Sequence, residues 1–277
     1  LVCLLNQFPN IETFCGGNRV TRYEQTDVTN ASFPNSLKYI KLCDCWINGD
    51  IGTTTGLENV EYWYLCRTPF SGNFHDIKSN SITTTDFNYT PPNFKVNVSC
   101  LIANNPNYEC SKMQYVCGGE IDASETDPSN LKYMAWNMRY AKATGVVDNW
   151  QFNTGLTYLQ LTSCFAGDVS NWDISDTQIT DFMLCNTSYG SCCVGGTLTG
   201  GTIPDTLRRF NLSYTNEITA IPTDYSHTDL YDWEISNVPA LSGDITTYCF
   251  PTGGTSLYLT TYQTSLSGNL ENLADHI

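Results

Sequence analysis

Residues 37–51, LKYIKLCDCWINGDI, set the constraint that the rest of the chain obeys. Apolar or small residues fall at Leu37, Ile40, Leu42, Cys45, Ile47, Gly49 and Ile51. Ile40-x-Leu42 reads as a short strand, with its two apolar side chains inward and Lys41 outward. Cys45 enters the turn that follows, and Gly-x-Ile closes a second short strand or turn. So small a unit cannot bury its apolar side alone, so it must recur. Val60, Trp63, Leu65, Thr68, Phe70, Gly72 and Phe74 repeat every position at a shift of 23. The closing triplet returns as Gly119-Glu120-Ile121, Gly167-Asp168-Val169, Gly201-Thr202-Ile203, Gly243-Asp244-Ile245 and Gly268-Asn269-Leu270. Weaker copies are Phe94-Lys95-Val96 and Gly145-Val146-Val147.

The mean step of about 24 residues, with the pattern L-x-x-L-x-L-x-x-C-x-L-x-G-x-I, resembles the leucine-rich repeat in its longer form. That resemblance implies a β-rich solenoid: a right-handed superhelix of about ten turns with a parallel sheet on its concave face. The return segments are rich in Thr, Asn, Gly and Pro and lack a 3.6-residue stripe, so little helix is expected. Residues 1–30 read as an N-terminal cap or a degenerate first repeat, and residues 31–277 as the solenoid. An insertion rich in Gly and Cys falls near residues 190–199. Pro91-Pro92 interrupts pairing in the third repeat, and the Asn104–Asn107 cluster marks a turn in the fourth. Trp150 and Trp172 share one repeat position, 22 residues apart.

The formal net charge of -15 and a pI near 4.3 argue against nucleic-acid phosphates as partners. They also disfavour anionic membrane surfaces. No apolar run is long enough to span a bilayer. Only 15% of residues are charged, while the chain carries 17 tyrosines, 6 tryptophans and 12 phenylalanines. Thr, Ser and Asn fill the exposed positions, a composition that points to an extracellular or virion surface. The C-terminal residues carry no polar cap, which predicts contact there with a neighbouring subunit or parent assembly.

The 13 cysteines are an odd number. Cys45 and Cys164 sit at or beside the inward turn position, and Cys43, Cys66 and Cys185 share an outward strand position. Most therefore read as reduced structural thiols. Pairing stays open for Cys3 with Cys15, Cys100 with Cys110, and Cys192 or Cys193. Thr68, Thr90, Thr187 and Thr215 take the turn position in other repeats, where a hydroxyl is expected to bond the turn backbone.

A parallel stack brings one residue per repeat into a column, at a spacing of about 4.8 Å. The outward position between the two strand leucines gives Lys41, Tyr64, Asp86, Gln160, Met183, Asn211, Glu234 and Tyr258. This mixture of aromatic, amide and charged groups is the candidate ligand-binding column. It suits a protein or glycan on a cell surface. A second column follows the glycines: Asp50, Asn73, Lys95, Glu120, Val146, Asp168, Thr202, Asp244 and Asn269. A calcium ladder needs six to eight oxygens around each ion. No two acids are adjacent in this column, so it reads as a solvated edge. Three histidines without metal spacing, and no nucleophile elbow or phosphate loop, leave no metal, cofactor or catalytic site to assign. A carboxylate pair roughly 5–10 Å apart acting on sugars is the one catalytic option that the sequence leaves open. Sequons occur at Asn30, Asn88, Asn97, Asn186 and Asn211; a glycan on Asn211 would block the column.

The expectation is a non-enzymatic recognition module serving phage or viral host recognition. A bacterial or eukaryotic surface adhesin or receptor ectodomain, and a structural spacer or decoration, are the alternatives.

Overall fold

The computed structural model describes residues 7–17, 26–79, 82, 84–88, 94–96, 112–116, 120–122, 129, 133–137, 142–144, 146–162, 166–185, 192–198, 203–252 and 256–269. The chain is a parallel β-solenoid. It divides into two compact units, residues 1–130 with 136–144 and residues 131–135 with 145–277.

In the first unit the long-sheet strands are β1 (Thr13–Gly17), β3 (Tyr39–Cys43), β5 (Tyr62–Cys66), β7 (Thr84–Asn88) and β9 (Lys112–Val116). Each pairs in parallel with the next. Between them lie β2 (Thr26–Asp27), β4 (Ile47–Asp50), β6 (Phe70–Asn73), β8 (Phe94–Val96), β10 (Glu120–Asp122) and β12 (Lys142–Thr144), which form a second, six-stranded sheet. Strand β11 (Tyr133–Asn137) has residues in both units. In the second unit the long-sheet strands are β13 (Tyr158–Thr162), β15 (Asp181–Cys185), β17 (Arg209–Ser213), β19 (Asp232–Asp244) and β20 (Tyr258–Ser267). Strands β14 (Ala166–Asp168), β16 (Cys192–Thr197) and β18 (Thr215–Ala220) form a three-stranded sheet beside them.

The 23-residue shift is the register of β3 with β5. Ile40 pairs with Trp63, Lys41 with Tyr64 and Leu42 with Leu65. Residues 13–17 pair in the same way with β3, so the N-terminal segment forms a coil of the same kind. In the second unit Leu159, Phe182, Phe210, Trp233 and Leu259 align, as do Leu161, Leu184, Leu212, Ile235 and Thr261. Identical positions stack because the coils are in register, so the core is built of ladders. Trp63, Phe74, Phe87 and Phe94 meet edge to face, with centroids 4.6–5.2 Å apart along the chain of contacts. Trp150 and Trp172 stack at 5.7 Å with their planes 3° apart, and the Trp172 indole donates to the Val147 carbonyl. Phe182 lies on Phe210 at 5.4 Å.

Left-handed corners follow β3, β5 and β17, at Asp44 (φ 53°), Arg67 (48°) and Tyr214 (59°), and bend β19 and β20 at Asn237 (56°) and Gln263 (51°). The next side chain turns inward: Thr68, Thr215 and Val238 are buried there. The expected hydroxyl bonds are not made. Thr68 Oγ1 and Thr215 Oγ1 meet no hydrogen-bond partner, because the corner backbone already bonds between coils. Asp44 N–H donates to the Cys66 carbonyl and Tyr214 N–H to the Ser236 carbonyl. Thr90, Thr187, Cys164, Pro91-Pro92 and the Asn104–Asn107 cluster lie outside the described residues.

Among the described residues there is no α-helix. Short 3₁₀ turns follow the second strands at Ile51–Thr53, Phe74–Asp76, Val169–Asn171 and Ile245–Thr247. No described helix is long and apolar enough to cross a membrane. Cys192–Thr197, read above as part of an insertion, form β16 in register with β14.

Candidate ligand-binding face

The side chains that point away from the core on the long sheets fall into three parallel columns in each unit. In the first unit the leading column holds Tyr39 and Tyr62, with ring centroids 6.4 Å apart. The middle column holds Lys41, Tyr64 and Asp86 on consecutive strands, as the spacing predicts. Lys41 Nζ lies 5.4 Å from the Tyr64 ring centroid, a cation–π contact. Burial pushes the Tyr64 phenol up to about 12, reinforced by Cys66, Cys43 and Asp86. Tyr64 is therefore a neutral hydrogen-bond donor at physiological pH. Burial, then the Asp86 carboxylate, also raises Tyr62. The trailing column holds Cys43 and Cys66.

In the second unit the middle column aligns Gln160, Met183, Asn211 and Glu234. Tyr258 does not continue it. Glu234 pairs with Thr260, while Tyr258 pairs with Asp232 one column away. The Leu257-x-Leu259 spacing suggested an inward pair. The strand instead aligns Leu259 and Thr261 with the buried Trp233 and Ile235, and a threonine in a leucine slot hid the register. The leading column is thus Tyr158, Asp181, Arg209, Asp232 and Tyr258.

These side chains hold one another in place. Asn211 Nδ2 donates to Glu234 Oε2 at 2.7 Å, and Ser213 Oγ donates to Asn211 Oδ1 at 2.8 Å. Ser236 Oγ donates to the other Glu234 oxygen at 3.3 Å, and Tyr158 OH donates to Gln160 Oε1 at 3.0 Å. Arg209 reaches Asp181 and Asp232 at 3.8 and 3.7 Å and lies 5.5 Å from the Tyr231 ring centroid. Beside this polar array Tyr214, Tyr231, Tyr258 and Tyr262 are exposed. Asn211 Nδ2 is hydrogen-bonded to Glu234, so a glycan there would attach to a nitrogen already engaged on the face.

The acids after the glycines have a structural task that the sequence reading missed. Asp50, Asp168 and Asp244 accept from the backbone N–H of Gly52, Ser170 and Thr246 and so cap the 3₁₀ turns. The recurring Asp followed two residues later by Gly, Ser or Thr was the available signal. Ser170 and Thr246 hold the carboxyls of Asp168 and Asp244 below the usual carboxylate range, by side-chain and then backbone hydrogen bonds. Lys95 and Glu120 are register neighbours, as expected.

An open groove of about 780 Å³ in the second unit lies over the turns. Asp176, Gln178, Asp205, Thr206, Asp224 and His227 line it. His227 Nε2 sits 3.0 Å from the Ile203 carbonyl oxygen and 3.8 Å from Asp205. Among the described residues no three His, Cys, Asp or Glu side chains are placed to share a metal ion. Cys15, Cys43, Cys45, Cys66 and Cys249 are free thiols. Cys3, Cys100 and Cys110, and the side chains of Cys185, Cys192 and Cys193, lie outside the described residues, as do those of Asn88, Asn97 and Asn186.

No known protein family and no curated protein matches this chain.

Proposed function

We propose that the chain is a leucine-rich-repeat-like, non-enzymatic recognition module. Its ligand is a protein or glycan displayed on a cell surface. The setting is a phage or viral host-recognition protein at a virion or extracellular surface. The supporting observation is the Asn211–Glu234–Ser236–Ser213 network standing beside exposed tyrosines. Polar groups fixed by one another lose little entropy when a ligand arrives. Tyrosines present large amphipathic contact area on few rotatable bonds, as binding surfaces favour.

Binding of purified protein to an array of immobilised glycans and cell-surface ectodomains tests this reading. Tyr64→Ala probes the first unit, and Glu234→Ala with Tyr258→Ala probes the second. Loss of a wild-type signal by more than tenfold in either variant, with the melting profile kept, supports the sheet face. Equal binding by all variants moves the contact elsewhere.

One observation favours a structural-spacer reading. Leu257, Leu259 and Leu266 at β20 are half-buried, whereas Trp233, Ile235, Val238 and Leu241 on β19 are fully buried. A contact between copies at the β20 edge would predict unchanged array binding and self-association in light scattering.

A further inference from the structure

We propose that Cys43 and Cys66 are an oxidisable pair that forms a labile disulfide between two coils of the first unit. The two are register partners on neighbouring parallel strands. Both are free thiols, and the Cys43 thiol donates to Asp44 Oδ2 at 3.6 Å. Parallel register partners lie about 4.8 Å apart at Cα, inside the range of about 4.4–6.8 Å that a disulfide spans. Their Cα–Cβ bonds point the same way, so the Cβ atoms stay near the strand spacing, wider than the roughly 3.8 Å of a relaxed bridge. Closing the bond must draw the coils together. A bridge made under that tension is readily reopened by thiols.

Exposure divides the roles. Cys43 is half-buried and meets reagent first, while Cys66 is buried and resolves. A small disulfide such as oxidised glutathione supplies the oxidant. The Cys43 thiolate attacks one glutathione sulfur, that S–S bond breaks, and one glutathione leaves as thiolate and takes a proton. Cys66 then loses its proton to solvent and attacks the Cys43 sulfur, and the second glutathione leaves. The protein gives up two hydrogens and the oxidant becomes two thiols. Burial, with Cys66 and Asp44 alongside, pushes the Cys43 thiol up to about 12. Exchange is therefore slow at neutral pH and gains about tenfold per pH unit as the thiolate fraction rises. The pair borders Tyr64 on the proposed ligand face, yet its formation does not depend on what that face binds.

Cys45 is the internal comparison. It lies two residues from Cys43 but past the left-handed Asp44, with its thiol directed at the Cys43 carbonyl at 3.4 Å. The full chain, first reduced, is incubated with excess oxidised glutathione at pH about 8.5. It is then alkylated and digested with trypsin and a glutamyl endopeptidase. Cleavage after Glu58 or Glu61 separates the two cysteines, which trypsin alone leaves in one peptide. The expected product is a Cys43–Cys66 cross-linked peptide that disappears with dithiothreitol. In Cys66→Ser, Cys43 instead retains glutathione. Glutathione left on Cys43 in the unaltered protein overturns the proposal. So does a Cys43–Cys45 bridge, or full alkylation of both thiols after oxidation.

Discussion

Thr215 is wholly buried at an inward corner with a hydroxyl that bonds to nothing. Leaving a hydroxyl dry and unpaired costs about 1–3 kcal/mol. Thr215→Val keeps the shape and removes the unpaired atom. It is expected to stabilise the second unit by about 1 kcal/mol in denaturant titration; a loss of stability would mean that the hydroxyl finds a partner. Gly72 argues the opposite case. Its φ is +86°, and an added Cβ would meet the Asp50 carboxylate, which is already committed to capping Gly52. Gly72→Ala should cost about 1–3 kcal/mol, from left-handed strain and a displaced cap. Gly243 shares the positive φ, at +140°, but has open space around its Cβ position. Gly243→Ala should therefore be the milder change in the same titration, and equal costs would show that strain alone decides.

At the scale of the element, the 3₁₀ turns depend on ionised caps. The folded carboxyls of Asp168 and Asp244 are depressed, so the stability they add is full above the unfolded value near 4. It is lost as pH falls through the folded values. The melting-point deficit of Asp244→Ala should be clear at neutral pH and should close as pH drops from about 5 to about 2. A deficit that persists in acid would assign the effect to packing. The strands themselves were legible. Ile40-x-Leu42 and Trp63-x-Leu65 carry apolar residues at the period of a strand, and only one phase buries both. The glycines were legible too, but their reason was not, because the clash that demands Gly72 comes from the preceding coil. β16 was hidden because Cys192–Thr197 is small and carries little apolar contrast. Tyr258 was misplaced because Thr261 occupies a leucine slot. The mutual bonding of Asn211 and Glu234 depends on side-chain reach between neighbouring strands, which spacing alone does not encode.

For the whole molecule, charge is the remaining lever. A net charge of -15 is spread over the chain, and the described ion pairs join solvent-accessible side chains. Exposed pairs contribute about 0–1 kcal/mol each, so screening them costs little. Self-repulsion of so large an excess opposes the compact state, and salt shortens its range from about 30 Å at 0.01 M to about 8 Å at 0.15 M. The second effect should win. Raising sodium chloride across that range, with a chelator present to exclude divalent ions, is expected to lift the melting midpoint. A gain of about 1 kcal/mol would appear as roughly 2–4 °C for a chain of this size. A fall in the midpoint would mean that local pairs such as Arg209 with Asp181 and Asp232 outweigh the global field. Glu217→Gln separates the two cases, because it lowers the negative excess and leaves the Arg209 pairs in place. If repulsion governs, the variant should melt higher than the parent in low salt, with much of the gap closed in high salt; an unchanged midpoint would give the local pairs the larger share.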